Sequence, residues 1–302
     1  MNATNLPWGI AFIAAAVGCF AAMDITTKVL AAAAVPALMA VWCRNALQLA
    51  IVGITLVPRR GRAMLHTGRP MLQCLRGALL MGTSLCGFIG VKLMPVGEFT
   101  AIVLITPLAL TLLSALASHE RVLPLRGICV AGGFVGAMMV VRPAGEEFGA
   151  ALLLPLGIVG TNTGYQWLTS RLAQTEDPGT MQLYTGVVGT LLATLALPFA
   201  WQPLSAAQWA LALLIGVLGT TGHFLLILGY ARAPVGMLTP YLYLQIAFAT
   251  LGGWLVFSHA PDAWSAAGIA LIAASGVWGT WLAKRQLQRG TRIERKATCS
   301  GT

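Results

Sequence analysis

Charge is what this sequence has least of: 9% of its 302 residues are Asp, Glu, Lys or Arg, against about a quarter in soluble domains. With 57% hydrophobic residues beside that scarcity, a water-soluble globule is excluded and the chain belongs in lipid. Catalytic signatures are missing as well. There is no HExxH, no GxSxG, no phosphate loop and no pair of aspartates within the apolar runs, so protease, hydrolase and phosphoryl-transfer chemistry has no carrier and the chain is not read as an enzyme. The six cysteines (Cys19, Cys43, Cys74, Cys86, Cys129, Cys299) form no CxxC pair and have no histidine at metal-ligand spacing. That pattern indicates no disulfide framework, no metal and no cofactor. Met1 to Pro7 contains no Lys or Arg, so the first apolar run reads as a span and not as a cleaved signal peptide, despite the small residues of "AAAAVPA".

Apolar runs of membrane length fill nearly the whole chain: 8–30, 36–57, 70–92, 95–117, 124–141, 149–171, 179–199, 208–230, 235–257 and 263–283. Continuous runs of about 20 residues predict helices, where barrel strands would alternate over about 10. The reading is an all-α integral membrane protein of ten spans. Its net charge of +10 is distributed as a topology signal, not as a nucleic-acid surface. With the amino terminus inside, fourteen Lys and Arg fall on inner connections and the tail, and three (Lys28, Lys92, Arg142) near the outer face. Both termini are therefore expected in the cytoplasm, with the protein in the inner (plasma) membrane.

The strongest internal signal is a repeat. "GALLMGTSLCGFIGVKLMPVGEFT" from Gly77 aligns without a gap on "GVLGTTGHFLLILGYARAPVGMLT" from Gly216, pairing Pro95-Val96-Gly97 with Pro234-Val235-Gly236 and Thr100 with Thr239. The unit is five helices long. An odd-numbered unit enters the membrane from the opposite side the second time, so the halves, 1–147 and 148–284, are expected to be inverted, followed by a basic cytoplasmic tail, 285–302. Inverted repeats are the usual architecture of secondary transporters, with substrate near the midplane between the halves. Gly132 with Gly136, Gly160 with Gly164, and the row Gly216, Gly219, Gly222 read as helix-contact faces.

These ten spans and repeats, with "MPVGEFTAIVLITPLALTLLSALASHERV" from Met94 to Val122, resemble the EamA family of the drug/metabolite transporter superfamily. Pro95, Glu98, Thr100 and Pro107 match the family's fourth span; His119 replaces a turn glycine before Glu120-Arg121, and Ile246 stands opposite Pro107. The resemblance implies a bundle with a central cavity and transport of small metabolites, by import or export. The segments "TGHFLLILGYARAP" and "TPYLYLQ" are loosely similar to members that import flavins and other large planar metabolites.

Ionisable groups within the spans are functional candidates by default, since each costs about 2.5–3.5 kcal/mol at a span centre. Asp24 and Lys28 lie four apart, about 40° around a helix, and can pair. With Arg44 and Glu98 they occupy the outer half and are expected to form a charged vestibule or gate. Arg76, near the inner end of the third span, reads as an interface anchor. The second half supplies neutral groups: Asn162, Tyr165 and Gln166 on the sixth span, His223 on the eighth, and Tyr241 with Gln245 on one face of the ninth. Trp42 adds aromatic surface. Together these suit an uncharged or zwitterionic ligand with a planar part, bound by stacking and amide bonds. Asp24, Glu98 and His223 are candidate carriers of a coupling proton. The expected partners are a small-molecule substrate, the bilayer and protons, in a monomer or homodimer. The readings that compete with a secondary transporter are a channel-like facilitator and a non-transporting accessory subunit.

Overall fold

The computed structural model describes residues 5–55, 58, 61–93, 96–118, 124–141, 149–257, 262–278 and 281, and among them regular structure is helical throughout. Twelve helices are numbered here in chain order: α1 (Leu6–Ala32), α2 (Ala37–Thr55), α3 (Pro70–Leu93), α4 (Val96–Val103), α5 (Thr106–Ser118), α6 (Pro124–Val141), α7 (Leu153–Leu172), α8 (Pro178–Ala196), α9 (Ala206–Arg232), α10 (Val235–Leu242), α11 (Leu244–Phe257) and α12 (Ala263–Trp278). Each of the ten apolar runs is occupied by helix, and two of them, the fourth and the ninth, are each divided in two. Among the described residues, five stretches are long and apolar enough to cross a membrane: α1, α2 from Leu38, α8 with the 3-10 turn that follows it, α9, and α10 continued through α11. The chain is a multi-pass membrane protein.

Local chemistry sets the helix ends. Asp177 caps α8, its side chain accepting from Gly179 N at 2.8 Å and Thr180 N at 3.2 Å. Ser205 and Gln208 form a reciprocal capping box at α9. Arg171 and Arg232 stand in the last turns of α7 and α9, where a cation complements the helix dipole.

The breaks have separate causes. Pro107 has no N–H to offer Val103, and its ring crowds that carbonyl, so α4 stops at Val103 and helix resumes only at Thr106. The ninth span carries Pro240 inside α10 but breaks later, at Tyr243. Thr239 Oγ1 donates to the Gly236 carbonyl, the acceptor Pro240 leaves unused, at 3.4 Å. The register that pairs Gly77 with Gly216 also pairs Leu104 with Tyr243, 139 residues apart, and these two meet: the Tyr243 hydroxyl donates to the Leu104 carbonyl at 3.2 Å. The two interruptions are thus bonded to one another. Gly133 of α6 makes room, since a Cβ there would stand 2.5 Å from the Tyr243 ring.

Packing mixes the halves. Helix α1 lies along α9, and α7 along α3; α2 packs on α9, and α8 on α3; α1 packs on α10 and α11, and α7 on α4 and α5. Each of these contacts has its counterpart when residues 1–147 and 148–284 are exchanged, and α2 meets α8, its own counterpart. The main core draws on both halves, with Ile13, Leu80, Leu110, Leu172, Leu226 and Leu238 in one cluster. Two details differ from the sequence reading. The glycine row on α9 is a contact face, with Gly216 against Leu47 and Gly222 against Phe20, whereas a side chain added at Gly160 would meet no atom of the described residues within 4 Å. The break at Tyr243 puts Tyr241 in α10 and Gln245 in α11, on two helices and not one.

Candidate functional site

Two charges of opposite sign approach one another inside the bundle. Asp24, eight residues before the end of α1, presents an exposed carboxylate between the buried Ala21 and Thr26. Its Oδ2 accepts from Gln245 Nε2 at 2.9 Å. Gln245 stands in the first turn of α11, so the break at Tyr243 is what delivers this amide. Arg44, from α2, donates through Nη2 to Ser84 Oγ of α3 at 2.9 Å. Its Nε is buried and has no hydrogen-bond partner among the described residues. Asp24 and Arg44 lie within electrostatic reach of one another, and Arg44 of Tyr165. Each charge is thus hydrogen-bonded to a neutral side chain, with its opposite within electrostatic reach. Lys28 is exposed one turn further along α1. Glu98 lies on α4, and its side chain falls outside the described residues.

The sequence reading separated a charged outer vestibule from neutral groups deeper in the second half, whereas the fold joins them. Tyr165, buried on α7, bonds through its hydroxyl to His223 Nδ1 of α9 at 3.1 Å, with the two rings edge to face at 5.7 Å. Phe20 of α1 lies on the other side of the imidazole, 4.8 Å between centroids. Gly222 admits that ring, since a Cβ there would stand 2.6 Å from Phe20. Phe20 and Asp24 are one turn apart on α1, so aromatic rings and opposed charges adjoin.

Arg76 is not at an interface. It is fully buried, because α3 runs between α7 and α8 at this level and both turn hydroxyls toward it. Its Nε donates to Thr169 Oγ1 at 2.8 Å, Nη1 to the Met181 carbonyl and Thr185 Oγ1 at 2.8 Å each, and Nη2 to the Tyr165 hydroxyl at 3.4 Å.

Other polar groups hold helices together. Gln166 accepts the Tyr230 hydroxyl at 2.6 Å and donates to Asn162 Oδ1 at 3.3 Å. Trp42 donates to Thr194 at 3.0 Å and meets Trp201 edge to face at 6.2 Å, away from the His223 cluster. Tyr241 is buried in the main core. Gln48, Gln182 and the Thr220 carbonyl form a chain joining α2, α8 and α9, with bonds of 2.8 Å each. Sequence reasoning missed Ser84, Gln48 and Gln182; an amide inside an apolar run was the signal for the last two.

No family model matches this chain. Among curated proteins it is 29% identical to a riboflavin transporter of Rhizobium johnstonii over 76% of each chain. It is 28% identical to a riboflavin transporter of Vibrio cholerae over 64% of this chain and 66% of that one. An S-adenosylmethionine uptake transporter of Rickettsia bellii is 23% identical over 79% of this chain and 82% of its own. A solved crystal structure of a protein with 20% sequence identity superposes with TM-score 0.81, covering 94% of this chain and 100% of that one; at that identity the likeness is of fold. The named relatives are small-molecule transporters.

Proposed function

We propose that this protein is a secondary transporter of a small metabolite, working by alternating access between two inverted five-helix halves, 1–147 and 148–284. In this reading the chain has ten spans in the inner membrane, and the clustering of Lys and Arg on inner connections supports a cytoplasmic location for both termini and the basic tail, 285–302. The reading is supported by the exchange symmetry of the packing, by the two broken spans meeting at equivalent positions, and by the transporters among its relatives. Such breaks are tolerated in lipid only where protein or a water-filled cavity surrounds them.

The observation that carries the assignment of the site is the pair Asp24 and Arg44, within electrostatic reach of one another and hydrogen-bonded to Gln245 and Ser84 respectively. A ligand with a donor for Asp24 and an acceptor for Arg44 bridges them. Riboflavin and S-adenosylmethionine each join a planar heteroaromatic system to a polar chain. Phe20, Tyr165 and His223 supply rings for the planar part, with Asn162 at the edge of the site. When the ligand leaves, Asp24 and Arg44 close on one another and gate the path, or Asp24 takes up a coupling proton.

A thermal-shift screen of the purified protein with riboflavin, S-adenosylmethionine and amino acids tests this. A ligand at 100 times its Kd stabilises the fold by about 2.7 kcal/mol. The expected result is a shift that Asp24→Asn and Arg44→Gln each abolish while leaving the unliganded Tm in place. A shift that survives both substitutions sinks the assignment.

A further inference from the structure

Arg76 is the most expensive side chain in the described bundle, and none of its bonding partners needs it. A guanidinium wholly removed from water carries a desolvation cost that neutral partners only partly offset. Its partners among the described residues are two threonine hydroxyls, a carbonyl and a phenol, with no carboxylate among them. The Thr169 hydroxyl already donates to the Tyr165 carbonyl at 2.7 Å, and the Thr185 hydroxyl to the Met181 carbonyl at 2.9 Å. Removing Arg76 therefore orphans neither hydroxyl and leaves the Met181 carbonyl with a donor. Helix adhesion does not account for a charge kept at this place.

The hydrogen-bond arithmetic of the next two residues does. Arginine donates and never accepts, and a tyrosine hydroxyl has one proton to give. Facing Arg76 Nη2, the Tyr165 oxygen accepts, so its own proton points to its remaining partner, His223 Nδ1 at 3.1 Å. That bond needs a bare Nδ1, with the proton of the neutral imidazole on Nε2. The phenol oxygen could accept from both sides, but a proton on Nδ1 would then leave the buried Tyr165 O–H with no acceptor among its described partners. We propose that Arg76 is a positioning residue that, through Tyr165, fixes His223 as the Nε2–H tautomer, so that the ring beside Phe20 offers a hydrogen-bond donor. Resting on the transporter reading above, this assigns the ligand an acceptor, a carbonyl or a ring nitrogen, at the position where its planar part meets His223. Four neighbouring elements contribute the groups facing the imidazole: Tyr165 from α7, Phe20 from α1, and the guanidinium groups of Arg44 and Arg76 from α2 and α3.

The test reads the tautomer directly and does not depend on transport. Protein labelled with 15N-histidine and reconstituted in lipid is studied by nitrogen NMR, with the His223 signals identified by their loss in His223→Gln. Wild type is expected to show the Nε2–H form in at least about tenfold excess, since one ordinary hydrogen bond shifts a two-state ratio by roughly that factor. Tyr165→Phe deletes the relay and should bring the two forms within about threefold of one another. Arg76→Met should do the same with the phenol still present, because the freed hydroxyl can then accept from Nδ1–H as readily as donate to Nδ1. If Arg76→Met yields no folded protein, Thr169→Val, which releases Nε and loosens the guanidinium, should reduce the excess at least threefold. A wild type dominated by the Nδ1–H form, or a ratio unmoved by Arg76→Met, or by Thr169→Val in its place, overturns the proposal. Failure of the transport reading would appear separately, as absence of ligand-induced shifts in a protein whose His223 tautomer is as described.

Discussion

The bond between the two broken spans can be tested by crowding it and then relieving the crowding. A methyl added at Gly133 would stand 2.5 Å from Cδ2 of Tyr243, about 1 Å inside ordinary contact, so the ring must move by about that much. The hydroxyl, 3.2 Å from the Leu104 carbonyl, has no slack to absorb the movement. Gly133→Ala should therefore cost about 1–3 kcal/mol for overpacking and about 0.6–1.7 kcal/mol for the lost intramembrane bond, roughly 2–5 kcal/mol together. Tyr243→Ala should cost about 3–5 kcal/mol through the cavity it leaves. In the double variant the new methyl enters that cavity, so the total should lie near that of Tyr243→Ala alone, a coupling as large as the Gly133→Ala cost, roughly 2–5 kcal/mol. Tyr243→Phe, which removes only the hydroxyl, should cost about 0.6–1.7 kcal/mol. The assay is equilibrium unfolding in mixed micelles followed by tryptophan fluorescence. Additivity of the two single changes within about 0.5 kcal/mol would show that Gly133 and Tyr243 are not in contact and would refute the described junction.

Three further outcomes are expected. Arg76→Met should fold with stability within about 1 kcal/mol of wild type in chemical unfolding, since a desolvated charge is removed and its hydroxyl partners stay bonded; a loss above about 3 kcal/mol would mark Arg76 as structural after all. Gln166→Leu should cost about 1–2 kcal/mol by orphaning the buried Tyr230 hydroxyl, and Gln166→Leu with Tyr230→Phe should recover most of that in the same measurement. Gln182→Leu breaks the chain from Gln48 to the Thr220 carbonyl and should lower stability by about 1–2 kcal/mol, with no change if water replaces the amide.

The spans were legible because bilayer thickness imposes a run length that composition reveals residue by residue: the predicted 70–92 and 124–141 are the helices Pro70–Leu93 and Pro124–Val141. The break before Thr106 was legible in Pro107. The one at Tyr243 was not, since Pro240 lies three residues earlier and is accommodated. Asp24 and Arg44 announced themselves as charges in apolar runs, but Gln245 as the partner of Asp24 could not be read, because the two are 221 residues apart and meet only through interhelical packing. Arg76 was misread for a physical reason. Near a span end a long side chain can reach the interface, and what turned it inward was the ring of hydroxyls from Tyr165, Thr169 and Thr185, three residues whose common direction depends on how α7 and α8 pack.

The central claim is solute movement through the site between Asp24 and Arg44, and flux into liposomes measures it most directly. Purified protein is reconstituted and uptake of radiolabelled riboflavin and S-adenosylmethionine is followed with and without an imposed proton gradient. The account predicts saturable uptake of at least one of them by wild type, lost in Asp24→Asn and in Arg44→Gln although both variants keep the wild-type Tm. Wild-type uptake by either variant, or no protein-dependent uptake of either solute, would contradict it.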